Sequence, residues 1–151
     1  RTDYIKRLIG IPGDVIQFID GKIFLNNSQL FKSKINKNDK IYCGSSIIDT
    51  ETFEEKIPGG KKFISAYLKN GTFQNSDKFI VPENHYFFLG DNRDCSKDSR
   101  YLTSVGYVNK RNLVGKAQFI FFSSDSRIGS FFAFWKWPQT IRLNRFFKKI
   151  N

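Results

Sequence analysis

Methionine is missing altogether from this 151-residue chain, and residue 1 is an arginine. The chain is therefore expected to be part of a longer translation product. Histidine occurs once, at His85, and cysteine twice, at Cys43 and Cys95. Two distant cysteines and one histidine give no cluster with metal-ligand spacing and no disulfide framework; they permit one bridge and require none. Gly59-Gly60 precedes Lys61-Lys62 but lacks the strand and helix of a phosphate-binding loop, so neither a metal nor a cofactor is expected. Apolar runs such as Phe119 to Phe122 fall far short of the roughly twenty residues of a membrane span. Any anchor is expected outside these residues, and no signal-peptide pattern opens the chain. A Ser-His-Asp triad would have to use His85, whose place between Asn84 and Tyr86 at a strand start suits a turn or surface role.

Acids are scarce as well, with 14 Asp and Glu against 25 Lys and Arg, for a net charge of +11. What the chain has in quantity is aromatic carbon: 17% of its residues, including 17 Phe, which is too hydrophobic for a disordered polyelectrolyte. One main domain with a possible insertion fits the length. The positive charge is spread along the chain except at its end. Residues 127 to 151 carry six Lys or Arg and no acid, interleaved with five Phe and two Trp. Cations mixed with aromatics suit an anionic membrane surface better than a nucleic acid, because Trp and Phe settle at the lipid interface while Lys and Arg meet the headgroups.

Residues 4 to 11 read as a strand stopped by the turn signal Pro12-Gly13-Asp14. Asp20-Gly21 between Val15–Ile19 and Lys22–Leu25 predicts a hairpin, since that dipeptide readily takes two positive φ angles. From Asn26 to about Asp77 the composition shifts to Lys, Asn, Ser and Asp with apolar islands, a partly extended β-rich insertion. Phe79 to Leu89 returns to strand character broken at Pro82, and Val105 to Val108 and Val114 to Phe122 add short strands around a turn at 109–112. The expected class is all-β, antiparallel sheets folded into a barrel-like domain. Residues 1–25 and 79–151 would form the main β-domain and 26–78 the insertion within it.

After the apolar run Tyr86 to Leu89 comes Gly90-Asp91-Asn92-Arg93-Asp94-Cys95-Ser96-Lys97-Asp98-Ser99-Arg100. Such polar clusters are mostly surface turns. Here opposite charges interleave at Asp91, Arg93, Asp94, Asp98 and Arg100, as a loop locked by Arg–carboxylate forks requires. In the first strand, alternation puts Lys6 on a face with Tyr4 and Leu8, and Arg7 on the other with Ile5 and Ile9; it does not say which cation is buried. Chemistry separates them, because a guanidinium stays protonated whereas a desolvated lysine amine can become a general base.

The eleven-residue loop, with Asp3-Tyr4-Ile5-Lys6-Arg7-Leu8-Ile9-Gly10-Ile11-Pro12-Gly13-Asp14, resembles the two downstream motifs of the bacterial type I signal peptidases (leader peptidases), Ser–Lys membrane proteases. Trp137-Pro138 through Arg142-Leu143-Asn144-Arg145 is similar to that family's C-terminus, so the resemblance covers roughly the first fifteen and the last seventy residues. It implies a serine endopeptidase that removes signal peptides from secreted preproteins after small residues. It would sit at the bacterial cytoplasmic (inner) membrane with its catalytic domain on the periplasmic face. By the same resemblance Lys6 is the general base, Ser96 orients its amine, and Tyr4 and Ile5 line the pocket for the residue before the cleaved bond. Asp98 and Arg100 form the ion pair that fixes the loop, supported by Gly90, Asp91, Asn92, Arg93 and Asp94. The family's nucleophile lies in a Ser-Met-x-Pro-like segment. No such segment occurs here, so these residues alone are expected to be inactive. Two other readings stand beside this one: a Ser–Lys protease of the self-cleaving repressor or mitochondrial inner-membrane type, and a basic β-domain that binds nucleic acid without catalysis.

Overall fold

A computed structural model of the chain describes residues 3–69, 71, 73–124 and 134–150. These residues form antiparallel β-structure with little helix, in two compact units, 1–114 and 115–151. The strands lie in four separate sheets, and no closed barrel forms among the described residues.

In the first unit, β1 (Arg7–Gly10) is shorter than the expected strand: its ladder starts at Arg7↔Leu89, and residues 3–6 lead into it. Next come β2 (Val15–Ile19) and β3 (Lys22–Leu25), the hairpin predicted at Asp20-Gly21. Both turn residues have positive φ, 48° and 70°, the pair that a right-twisted two-residue hairpin demands. After β4 (Ser28–Gln29), the region expected to be an insertion holds a three-stranded antiparallel sheet (the inserted sheet): β5 (Phe31–Cys43), β6 (Ser46–Lys56) and β7 (Lys62–Leu68). The stretch 79–89 divides at Pro82 into β8 (Phe79–Ile80) and β9 (His85–Leu89), since proline cannot donate to a ladder.

Sheet β4-β3-β2-β8 faces sheet β1-β9-β10, the last strand being β10 (Val108–Asn109). Alternation sends Ile16, Phe18, Ile23 and Leu25 from the first sheet, and Ile9, Phe87 and Leu89 from the second, into one core closed by Leu30, Phe79 and Val81. Phe87 and Leu89 are fully buried, and the chain leaving β9 therefore starts from a fixed point. Val105 precedes β10 in a turn, and the expected turn at 109–112 is a 3₁₀ turn, Lys110–Asn112, in which the Arg111 N–H donates to the Asn109 side chain.

The second unit is small. Its strands β11 (Phe119–Ile120) and β12 (Lys148–Lys149) pair antiparallel, well short of a strand over 114–122. A single-turn helix, α1 (Trp137–Thr140), carries Pro138 in its first turn, where a missing N–H costs nothing. Of the basic aromatic tail, residues 127–133 lie outside the described residues.

Candidate active site

The polar loop leaves β9 at Gly90 and returns to the same strand. Ser99 binds Phe88 twice: its N–H donates to the Phe88 carbonyl at 3.1 Å, and its hydroxyl accepts from the Phe88 N–H at 2.9 Å. Asp98 stands at the centre of the closed turn. One carboxylate oxygen accepts from the Gly90 N–H at 2.9 Å, and the two oxygens take a fork from Arg100, Nε and Nη2 each at 2.8 Å. Both side chains are almost wholly buried. Asp98 and Arg100 thus form a buried ion pair, and removal of either partner would strand a buried charge at a cost of about 3–5 kcal/mol.

The far side of the loop is fastened to the inserted sheet. Asn92 bridges Ala66 in parallel: the Ala66 N–H donates to the Asp91 carbonyl at 2.8 Å, and the Arg93 N–H donates to the Ala66 carbonyl at 2.8 Å. Asp94 accepts from the Leu68 N–H at 2.8 Å. Cys95 forms a disulfide with Cys43, at the end of β5, across 52 residues of sequence. The sequence left that pairing open. Arg93 donates to Glu55 of β6 at 2.5 Å, and Tyr67 of β7 donates its hydroxyl to the other oxygen of Glu55 at 2.5 Å. Burial is the main reason the Tyr67 hydroxyl is pushed far above its ordinary pKa, so it keeps its proton and remains the donor.

Within this frame Lys6 Nζ lies 2.6 Å from Ser96 Oγ, residues 90 positions apart. Ser96 is 7% exposed, so its hydroxyl meets the amine and not the solvent. The close approach depends on Gly90, where a β-carbon would come within 2.1 Å of Ser96 Oγ and 3.4 Å of Lys6 Nζ. The second cation has a different task. Arg7 forks onto Asp91 at 2.7 and 2.9 Å and lies 3.9 Å over the Phe63 ring, pinning β1 to the start of the loop.

The strand alternation expected over residues 4 to 11 does not reach back past Arg7, and the side chains of Tyr4 and Ile5 are 77% and 75% exposed. They lie in the open lead-in to β1, the outer strand of its sheet. His85 bonds Glu83 and Asn109 through its ring nitrogens. Glu55, Tyr67 and Arg7 were not singled out as site residues, and no pattern marks them: Glu55 is one acid in a Glu-Glu pair, and only its burial distinguishes it from Glu54.

A lysine just ahead of β1 and a serine on a distant loop, joined at 2.6 Å in a frame of buried ion pairs, coincide with a match over most of the chain. Residues 1–122 match the family described as signal peptidase, peptidase S26. The chain belongs to this family. The signal peptidase match takes in Lys6, the whole inserted sheet and the Ser96 loop. A signal peptidase I of Rickettsia typhi is 40% identical over 162 positions, covering 97% of this chain and 59% of that protein. One from Rickettsia bellii is 40% identical over 165 positions, covering 99% of this chain and 55% of that protein. This chain thus spans under two thirds of the length of these curated relatives. Among solved structures, a signal peptidase I from Enterococcus faecalis V583 is 26% identical, with a TM-score of 0.39, over 74% of this chain and 80% of that one.

Proposed function

We propose that these residues carry the general-base half of a Ser–Lys endopeptidase that removes signal peptides from secreted preproteins by cleavage after small residues. The contact between Lys6 Nζ and Ser96 Oγ in a chain of the signal peptidase family carries the reading. In the proposed reaction the neutral amine of Lys6 takes the proton of a serine hydroxyl as that oxygen attacks the scissile carbonyl. Lys6 then returns the proton to the leaving amine, and a water activated in the same way hydrolyses the acyl-enzyme. Ser96 is the orienting group and not the nucleophile, since a buried hydroxyl behind Gly90 offers a substrate carbonyl no approach. The nucleophile comes from a serine outside these 151 residues. Tyr4 and Ile5, exposed in the lead-in to β1, would face the substrate beside the cleaved bond.

The enzyme would work at the bacterial cytoplasmic membrane, its catalytic domain on the periplasmic face. An anionic lipid surface is the proposed second partner, and the second unit supports it. Phe134, Trp135, Leu143 and Phe147 are each about two-thirds exposed or more, among the cations Lys136, Arg142, Arg145, Lys148 and Lys149. No helix among the described residues is long and apolar enough to cross a membrane.

The test is Lys6→Arg in the full-length enzyme with a signal-peptide substrate. Arginine has a side chain of similar length but stays a cation and cannot accept a proton at working pH, so kcat should fall by about 100-fold or more while the protein stays folded. Ser96→Ala should cost less, because it removes only the orienting hydrogen bond. Near-parental turnover by Lys6→Arg would refute the general-base assignment.

A further inference from the structure

Glu55 lies on β6, in the inserted sheet, and is 1% exposed. Its two oxygens are divided between Tyr67 and Arg93, each at 2.5 Å. Arg93, in the middle of the polar loop, is also 1% exposed, and its Nε and Nη1 atoms have no hydrogen-bond partner. The Glu55 carboxylate is thus what holds this buried guanidinium. Keeping an arginine in that state is costly, and a loop that only turned the chain would leave it in water.

The connection runs on toward the site. The carbonyl of Arg93 accepts from Arg100 Nη2, Arg100 forks onto Asp98, Asp98 takes the Gly90 N–H, and Gly90 abuts Ser96 where it meets Lys6. Every side chain in this series is buried or half-buried. A shift of Arg93 therefore has few ways to relax except by moving the loop. We propose that Glu55 is a positioning residue for the Lys6–Ser96 pair: by holding Arg93, a carboxylate on the inserted sheet fixes the loop that presents Ser96. The proposal rests on the reading of Lys6 as the base, and it gives the segment between residues 26 and 78 a part in catalysis.

Two measurements test it together. In the 151-residue chain, the side-chain nitrogen resonance of Lys6 reports its contact with Ser96 without any need for activity. In the full-length enzyme, kcat and KM separate orientation at the reacting centre from substrate binding. Glu55→Gln should displace the Lys6 signal toward that of Ser96→Ala. It should also lower kcat by about ten-fold or more, with KM within about two-fold of the parent, because small misplacements at a reacting centre are magnified in rate. If Glu55→Gln does not fold, the double variant Glu55→Leu with Arg93→Met replaces the buried pair by apolar side chains, a change that often preserves stability. That folded variant should still show the displaced Lys6 signal and the lowered kcat.

A variant that keeps the parental Lys6 signal, or keeps parental kcat in an enzyme that needs Lys6, overturns the role of Glu55 alone. Cleavage that survives Lys6→Ala instead overturns the proposed function. The Lys6 resonance would still report whether Glu55 and the Lys6–Ser96 contact are coupled.

Discussion

Gly90 and Ser96 stand so close that a β-carbon on residue 90 would lie 2.1 Å from the serine hydroxyl and 2.4 Å from the serine β-carbon. Rotating the hydroxyl cannot relieve both contacts. Gly90→Ala should therefore push the Ser96 backbone away from Lys6, at a cost of about 1–3 kcal/mol in stability, as overpacking commonly does. Cleavage by the full-length enzyme should fall at least as far as in Ser96→Ala, and the Lys6 side-chain signal should move in the same direction. A folded Gly90→Ala enzyme with parental kcat/KM would show that the approach of Ser96 to Lys6 is not needed.

The Cys43–Cys95 bridge ties the end of β5 to the residue before Ser96 across 52 positions. Closing a loop of that length removes about 4 kcal/mol of unfolded-chain entropy in the loop-closure account, and measured values are usually about 2–4 kcal/mol. A reductant should lower the unfolding midpoint of the parent in urea and leave a Cys43→Ser, Cys95→Ser double variant where it was. Because the bridge adjoins Ser96, the reduced enzyme should also lose turnover before it unfolds. An unfolding curve that ignores the reductant would refute the bridge.

How far the sequence spoke for itself depended on how local the signal was. Asp20-Gly21 encodes its own two positive φ angles, and the β2–β3 hairpin appeared where it was expected. Charge alternation in the loop anticipates Arg–carboxylate forks, while the particular pairing of Asp98 with Arg100, two residues apart, came from the resemblance. Lys6 and Ser96 were named through resemblance, since nothing in the strand pattern distinguishes Lys6 from Arg7. Glu55 was illegible for a physical reason. Its partners Tyr67 and Arg93 lie 12 and 38 positions away, and only the closed sheet turns an ordinary strand glutamate into the counter-ion of a buried arginine. The strand expected over residues 4 to 11 came out shorter because β9 pairs it only from Arg7 onward.

The proposed membrane attachment through the second unit has a direct measurement. Trp135 is 68% exposed and Trp137 is 38% exposed. Co-sedimentation with vesicles containing anionic lipid should fall when both become Ala, and fall again in high salt as the Lys and Arg contribution is screened. Binding equal to the parent's would assign the two rings to packing within the unit.

The last prediction uses the proton on Tyr67. Burial, the largest cause, raises the pKa of its hydroxyl, and the neighbouring Glu55 carboxylate adds to the rise while Arg93 opposes it. The folded chain therefore keeps this proton at a pH where the unfolded chain, with a phenol near about 10, releases it. With more protons bound in the folded state, stability must fall as pH climbs above that value. The contribution of Tyr67 is whole below pH 10 and is lost above it at about 1.4 kcal/mol per pH unit. Lys32, whose pKa burial lowers, acts in the opposite sense and raises stability with pH up to its unfolded value near 10.5. That residue is present in both proteins, so it drops out of a comparison between the parent and Tyr67→Phe. Near pH 8 the variant should be the less stable by about 1–3 kcal/mol, for the hydrogen bond lost from a buried carboxylate. Between pH 10 and 11 the gap should narrow, because the variant has no phenol to ionise. Urea unfolding of both proteins at pH 8, 10 and 11 measures it, and a gap that stays constant would mean that Tyr67 does not hold its proton against Glu55 in the folded chain.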